Sequence, residues 1–290
     1  MVAEVPNGRL QGALAYVAEA PKFPLLVLLA FVVMAVFGPW FAPFTPFEGG
    51  LASQLLPPGS TDGAGRFHLF GTDVFGRDVL SRIIYGARIS LIVSIIAILF
   101  AGSLGTLIGL LAGYQGGWVD SLLMRIVDIT LSLPAILIAI ILAVAFGPSA
   151  GIVIVVVTFL LWPRYARQIR GEALAIRQLE FVDLAVVAGC GTVRILLRHL
   201  LPNVVPTLLV LITWQVGYVI LLESSLSFLG AGIPAPAPAW GLMVGEGSGY
   251  LVTAWWMSVF PGAAILLVVL AINLLGDWLR DRLDPKLATV

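Results

Sequence analysis

The residues able to do acid–base, nucleophilic, metal or phosphate chemistry are few among these 290 residues, and they are scattered. The two histidines, His68 and His199, both fall in polar stretches, whereas a Ser/His dyad working inside a membrane needs its base at that depth. Asp128 and Glu223 are too far apart in sequence to read as an aspartyl dyad. Cys190 stands alone, which excludes an internal disulfide framework, and no His/Cys spacing suits a structural zinc site. Lys22 and Lys286 are the only lysines, and neither follows a glycine-rich phosphate loop. Gly245, Gly247 and Gly249 are too close together for a dinucleotide fingerprint and follow no strand. No catalytic, cofactor or metal site is expected.

A different chemistry is open to polar groups set inside apolar runs, because burying them in hydrocarbon costs several kcal/mol unless they find partners. Arg125 and Asp128, three residues apart, can pair on one helical face. Trp214, Gln215, Glu223 and Asn273 could line a watery path for a polar solute. The plainer alternatives are that Glu223 is an interface carboxylate near a helix end, and that Trp214 and Tyr218 only pack. Asp277, Arg280, Asp281 and Arg282 read as a solvated cluster ending a helix.

These residues must be held by a membrane-embedded scaffold. Apolar residues make up 60% and charged residues 11%, with a mean hydropathy of +1.04. An average soluble domain has roughly 45–50% and about 25%. Sixteen Lys+Arg balance sixteen Asp+Glu, so no charge excess calls for nucleic acid. Six runs approach the roughly 20 residues that a spanning helix needs: 23–41, 89–111, 122–146, 151–162, 204–229 and 259–279. The fourth is short unless 163–166 are added. The runs are continuously apolar rather than alternating, which argues against a β-barrel. The first exceeds a signal peptide's apolar core of about 7–15 residues and lacks a clear cleavage site, so it is expected to remain as a span.

With both termini inside, eleven Lys and Arg lie on the cytoplasmic side: Arg9, Lys22, the six arginines from Arg164 to Arg198, Arg280, Arg282 and Lys286. Arg66, Arg77, Arg82 and Arg88 fall outside. After Thr72-Asp73, Val79, Leu80, Ile83, Ile84 and Ala87 alternate with polar residues at helical spacing. This predicts an amphipathic helix on the outer membrane surface, capped by Thr72 or Asp73, or else a plain solvated connector. Ala97, Ala101, Gly105, Gly109 and Gly113 form a small-residue stripe for close helix packing. Pro134 and Pro206 should bend their helices.

The longest internal polar segment, 164–203, is patterned as helices rather than as a linker. Glu180 to Ala188 forms one stretch, Gly189-Cys190-Gly191 breaks it, and Thr192 can cap the next, which stops at Pro202. Leu179, Val182, Val186 and Val187 give an apolar face suited to a groove in another protein. Gly189 and Gly191 allow a sharp reversal, since glycine tolerates left-handed angles.

Phe181-Val182-Asp183-Leu184-Ala185, then Gly189, then Arg194-Ile195 through Arg198-His199 to Leu201-Pro202-Asn203, resembles the EAA loop of ABC-importer permeases. The wording is closest to that of the dipeptide, oligopeptide and nickel permeases. Three further stretches agree: Phe70-Gly71-Thr72-Asp73 with Gly76-Arg77-Asp78-Val79-Leu80-Ser81-Arg82; Glu223 with Leu226-Ser227-Phe228-Leu229-Gly230; and Asn273 with Gly276-Asp277, Leu279-Arg280-Asp281 and Leu283-Asp284-Pro285. Asp183 stands where the family usually has Glu, Leu184 where it has Ala, and Val186 where Arg is common. Glu172-Ala173 imitates the motif's opening but has no Gly at the right interval.

The resemblance implies an all-α membrane protein of six transmembrane helices with the type I importer permease fold, the C-type subunit of its complex. It implies a tail, first span and external loop over 1–87, a five-helix permease core over 88–280 and a cytoplasmic tail over 281–290. The chain would form half of a peptide path in a bacterial plasma (inner) membrane, with both termini cytoplasmic. A B-type permease, one or two ABC ATPase subunits and an extracytoplasmic solute-binding protein would be its partners. ATP and Mg would belong to the ATPases. Phe181, Val182, Asp183, Ala185, Gly189, Arg194, Arg198 and Pro202 would couple to them through 164–203. The rival class is a stand-alone secondary transporter or channel, which often shows inverted repeats; none is detectable, and transport surviving loss of the ATPase would favour it.

Overall fold

The computed structural model describes residues 21–283. Arg9, Lys286 and the tail beyond 283 lie outside the described residues. The helices are α1 (Lys22–Phe41), α2 (Val79–Gln115), α3 (Gly117–Ser132), α4 (Ala135–Phe146), α5 (Ala150–Arg177), α6 (Glu180–Val187), α7 (Thr192–Phe228), α8 (Trp240–Ser248) and α9 (Trp256–Leu283). Five of these are long and apolar enough to cross a membrane, and α3 with α4 makes a sixth as one span bent by 83°. The bend falls at Leu133-Pro134, as the proline predicts, because its ring blocks a continuing helix. Between α1 and α2 lies a short hairpin, β1 (Ser60–Thr61) with β2 (Phe67–His68), antiparallel with Ser60 opposite His68.

The bundle is organised on α2, which packs most heavily on α5. The small-residue stripe makes this possible. A Cβ built at Gly109 would stand 2.6 Å from the Ala166 carbonyl oxygen, and one at Gly113 would stand 2.6 Å from the Ala173 Cβ. Ala97 and Ala101 are fully buried on the same stripe. Such backbone approach is how helices associate where lipid offers no hydrophobic drive. The outer surfaces of the bundle remain apolar, with Leu26 and Trp40 on α1, Phe100 on α2 and Ile141 and Val144 on α4 all exposed. Those surfaces suit lipid or further helices, not water.

The structure departs from the sequence reading in several places. No separate surface helix precedes α2; residues from Val79 onward are its first turns, so the expected boundary at 87/88 falls inside one helix. Its cap is Asp78, whose carboxylate accepts from the Ser81 N–H at 2.7 Å, rather than Thr72 or Asp73. Arg77, Asp78, Ser81 and Arg82 of the polar face expected to meet water are buried instead, because Asp73 and Glu246 of α8 supply counter-charges to the arginines, while Arg88 stays exposed. The fourth span continues as α5 to Arg177, carrying Arg164, Arg167 and Arg170 on the same rod. Asp128 pairs with Arg167 of α5 at 2.5 Å, not with Arg125, which is exposed on its own helix. Thr192 makes no capping hydrogen bond, since Gly191 occupies the cap position.

Candidate functional site

The segment 178–203 folds as a compact reversal. α6 begins after Leu179, and two acids in its first turn, Glu180 and Asp183, oppose the positive end of the helix dipole. It ends in a paired turn: Gly189 N–H donates to the Val186 carbonyl at 2.9 Å, and Cys190 N–H to the Ala185 carbonyl at 3.0 Å. This closure needs a left-handed residue at Gly189, whose φ is +78°. Gly191 has an ordinary φ of −67° and is not required as glycine for that reason. α7 then starts, loosens into a π turn over Leu196–Leu200, and continues through Pro202 and Pro206.

The two faces of the reversal differ. Val182 and Ala185 are buried against Ile169, Ala173 and Ile176 of α5 and Ile195 and Leu200 of α7. Val182, expected on the docking face, therefore fixes α6 to α5 and is closed to a partner, as is Ala185. Helical spacing explains this, because 182 and 185, three residues apart, share one face of α6, while 184 and 187 share another. The outward face carries Leu184 (68% exposed), Val187 (85%), Val193 (69%) and Leu197 (59%), with Val186 and Leu179 beside them. Phe181 lies at the edge, its ring 6.3 Å from that of His199. Asp183, Arg194, Arg198 and Pro202 are exposed around this patch. Glu172, the motif's imitator, is engaged within the chain, accepting from Thr207 Oγ1 at 3.1 Å.

The four residues considered for a path do not form one cluster. Gln215 and Glu223 are buried, and Glu223 accepts from Ser227 Oγ at 2.7 Å. Trp214 and Asn273 are exposed on α7 and α9. Trp214 donates to Asp277 Oδ1 at 3.2 Å, and the Arg280 guanidinium lies 5.8 Å from its ring centre.

At the opposite pole sits a knot that sequence reasoning missed. Asp73 accepts from the backbone N–H of Phe75 and Arg77, from Arg77 Nε at 2.6 Å and from Arg82 Nη1 at 2.5 Å. Glu246 of α8 accepts from both arginines, at 3.2 and 2.9 Å. His68 lies 2.9 Å from the Asp78 carboxylate, and Trp256 Nε1 donates to the Thr72 carbonyl at 3.0 Å. Gly71, at φ +74°, leaves 2.9 Å between its missing Cβ and that indole nitrogen. In the hairpin, the Arg66 backbone N–H, aided by its guanidinium, holds the Asp62 carboxyl at about 2 against an ordinary 3.8. The sequence signal was the run from Phe70 to Arg82; its acidic partner Glu246 lies too far along the chain to be inferred.

Five helices long and apolar enough to cross a membrane, with a sixth bent span, define an integral membrane protein. Residues 105–289 match the family described as the binding-protein-dependent transport system inner membrane component, and the chain belongs to that family. Residues 23–58 match the N-terminal TM domain of oligopeptide transport permease C. The dipeptide transport system permease protein of Bacillus subtilis is 44% identical over 264 residues, 91% of this chain and 81% of that one. The di/tripeptide transport system permease protein of Pseudomonas aeruginosa is 40% identical over 91% of this chain and 87% of its own length. In fold, the chain is similar to one from an inward-facing structure of the MetNI methionine ABC transporter. The TM-score is 0.58 with 19% identity, over 70% of this chain and 97% of the other.

Proposed function

We propose that this chain is a permease subunit of an ATP-driven importer of dipeptides or oligopeptides, and that it docks its ATPase through the reversal at 178–203. The observation that carries this reading is the outward patch of Leu184, Val187, Val193 and Leu197. These side chains are left uncovered by the chain itself, in the segment that also carries Arg194 and Arg198. An apolar patch in that position calls for a protein groove. Arg194, Arg198 and Asp183 at its edge add charge-matched contacts to the rim.

In this reading the reversal is cytoplasmic, with both termini on that side of a bacterial plasma membrane, consistent with the arginines of α5 and α7. The knot of Asp73, Arg77, Arg82 and Glu246 then faces the extracytoplasmic receptor. A second permease supplies the other half of the path, and the exposed Trp214 and Asn273 are the candidates to meet solute there. Hydrolysis of Mg·ATP belongs to one or two partner ATPases, and this chain takes no part in that chemistry. Names of the relatives support peptides as the solute class.

The test is reconstitution of the chain with its co-expressed neighbours in vesicles. ATP-dependent uptake of a labelled dipeptide, requiring the receptor, is expected. Uptake that persists without the ATPase would contradict the reading and favour a secondary transporter.

A further inference from the structure

Helix α3 is broken from its neighbours at both ends. It opens on two consecutive glycines of positive φ, its cap Gly116 at 66° and its first residue Gly117 at 57°. It stops at Pro134 and the 83° bend. Of its residues only Val127 and Thr130 are buried, so apolar packing holds it weakly. Two arginines of α5 hold it instead. Arg170 grips Asp120 with Nε and Nη2, at 2.5 and 2.6 Å, and Arg167 Nη2 meets Asp128 at 2.5 Å. The aspartates are eight residues apart, about two helical turns, so both pairs lie along one seam. α5 ends at Arg177, only three residues before the α6 helix that carries the docking face.

We propose that Asp120–Arg170 and Asp128–Arg167 form a clip through which movement of α5 is passed to α3. On this account α3 swings on its two breaks as a strut and redirects the bent α4. The proposal rests on the coupling function given above. Stability is a poor explanation for the outer pair, whose side chains are 56% and 60% exposed, because ion pairs that open to solvent contribute little. Geometry is the better one. A two-pronged guanidinium contact fixes direction as well as distance, and no other strong polar contact joins α3 to α5 among the described residues.

The test uses the complete complex in vesicles with ATP, receptor and a dipeptide. Arg170→Gln and Asp120→Asn should assemble and hydrolyse ATP, while dipeptide moved per ATP falls about two- to thirty-fold, the range for substitutions along coupled elements. The swap of Asp120→Arg with Arg170→Asp should recover most of the wild-type ratio. Wild-type ratios in both single variants, or a swap no better than they are, would overturn the clip. If either single variant fails to assemble, Arg170→Lys, which keeps the charge and loses the two prongs, is read in the same way. A second readout does not depend on the solute. Spin labels at Ser121→Cys and Gly171→Cys, in a Cys190→Ser background, should keep one separation on ATP binding, and that separation should broaden in Arg170→Gln. A separation that changes in the wild-type complex would overturn the clip. Failure of the wild-type complex to move any peptide would instead contradict the function.

Discussion

The loop pole at 42–78 with 230–255 and the reversal at 178–203 both lie beyond the apolar helix bodies, yet they treat their side chains in opposite ways. At the first, the strongest charges are buried, Arg82 being 0% exposed between Asp73 and Glu246, while apolar side chains such as Leu51 and Val252 stand exposed around them. At the second, apolar groups are exposed and the charges ring them. The first has paired its strongest charges within the chain, and the second has set its charges in the open around apolar groups. One pole therefore keeps its charges to itself, and the other, on the proposed reading, offers them to a partner.

The largest expected effect comes from breaking the self-contained pole. Arg82→Met leaves the buried Asp73 and the partly buried Glu246 with one counter-charge fewer, which should cost about 3–5 kcal/mol. Thermal unfolding in detergent would show it, and a shift no larger than that of a surface change would mean the knot is not a buried network. Next, Gly109→Leu drives a side chain into the Ala166 carbonyl of α5 and should cost about 1–3 kcal/mol or more, with loss of assembled complex. Normal assembly and transport would show that the α2–α5 contact tolerates separation.

Smaller still in stability, but large in function, is Gly189→Val. The left-handed angle makes a side chain there cost about 1–2 kcal/mol, confined to a turn where nothing else lies within 4 Å. The chain should insert normally while hydrolysis loses its stimulation by receptor and peptide. Glu172→Ala should do much less, and the reverse pattern would move the coupling motif to Glu172. The smallest effect belongs to the hairpin. Because the folded Asp62 carboxyl sits at about 2 rather than 3.8, its ionised form stabilises fully above 3.8 and that contribution is lost as pH falls through about 2. Asp62→Asn should flatten this slight acid dependence of the melting temperature by lowering the neutral-pH value while leaving the value near pH 2 little changed.

The two poles also differ in how far the sequence exposed them. The reversal was legible because its determinants are local: an eight-residue amphipathic stretch, one glycine at its end and a proline beyond. The cap at Thr192 and the need for glycine at 191 were misjudged, and so was the phase, with Val182 and Ala185, because a helix this short does not show which of its two apolar strips meets α5. The loop pole was illegible because its logic is long-range. Arg77 and Arg82 looked like a wet helical face, and nothing near them in sequence announces Glu246. The same reason misplaced Asp128, whose near neighbour Arg125 was the obvious partner while Arg167, on another helix, is the actual one. The spans and the stripe from Ala97 to Gly113 were readable, since composition and a four-residue repeat suffice. The broken third span was half readable, from Pro134 alone.

The central claim is that the exposed patch on the reversal holds the ATPase. Its most direct test is co-purification of the co-expressed ATPase with a chain carrying Leu184→Asp and Val187→Asp. Both side chains point away from the core, so thermal stability should stay within about 0.5 kcal/mol of the parent. The account predicts an intact, membrane-inserted permease that no longer retains its ATPase. Retention at the wild-type level, with peptide-stimulated hydrolysis intact, would contradict it.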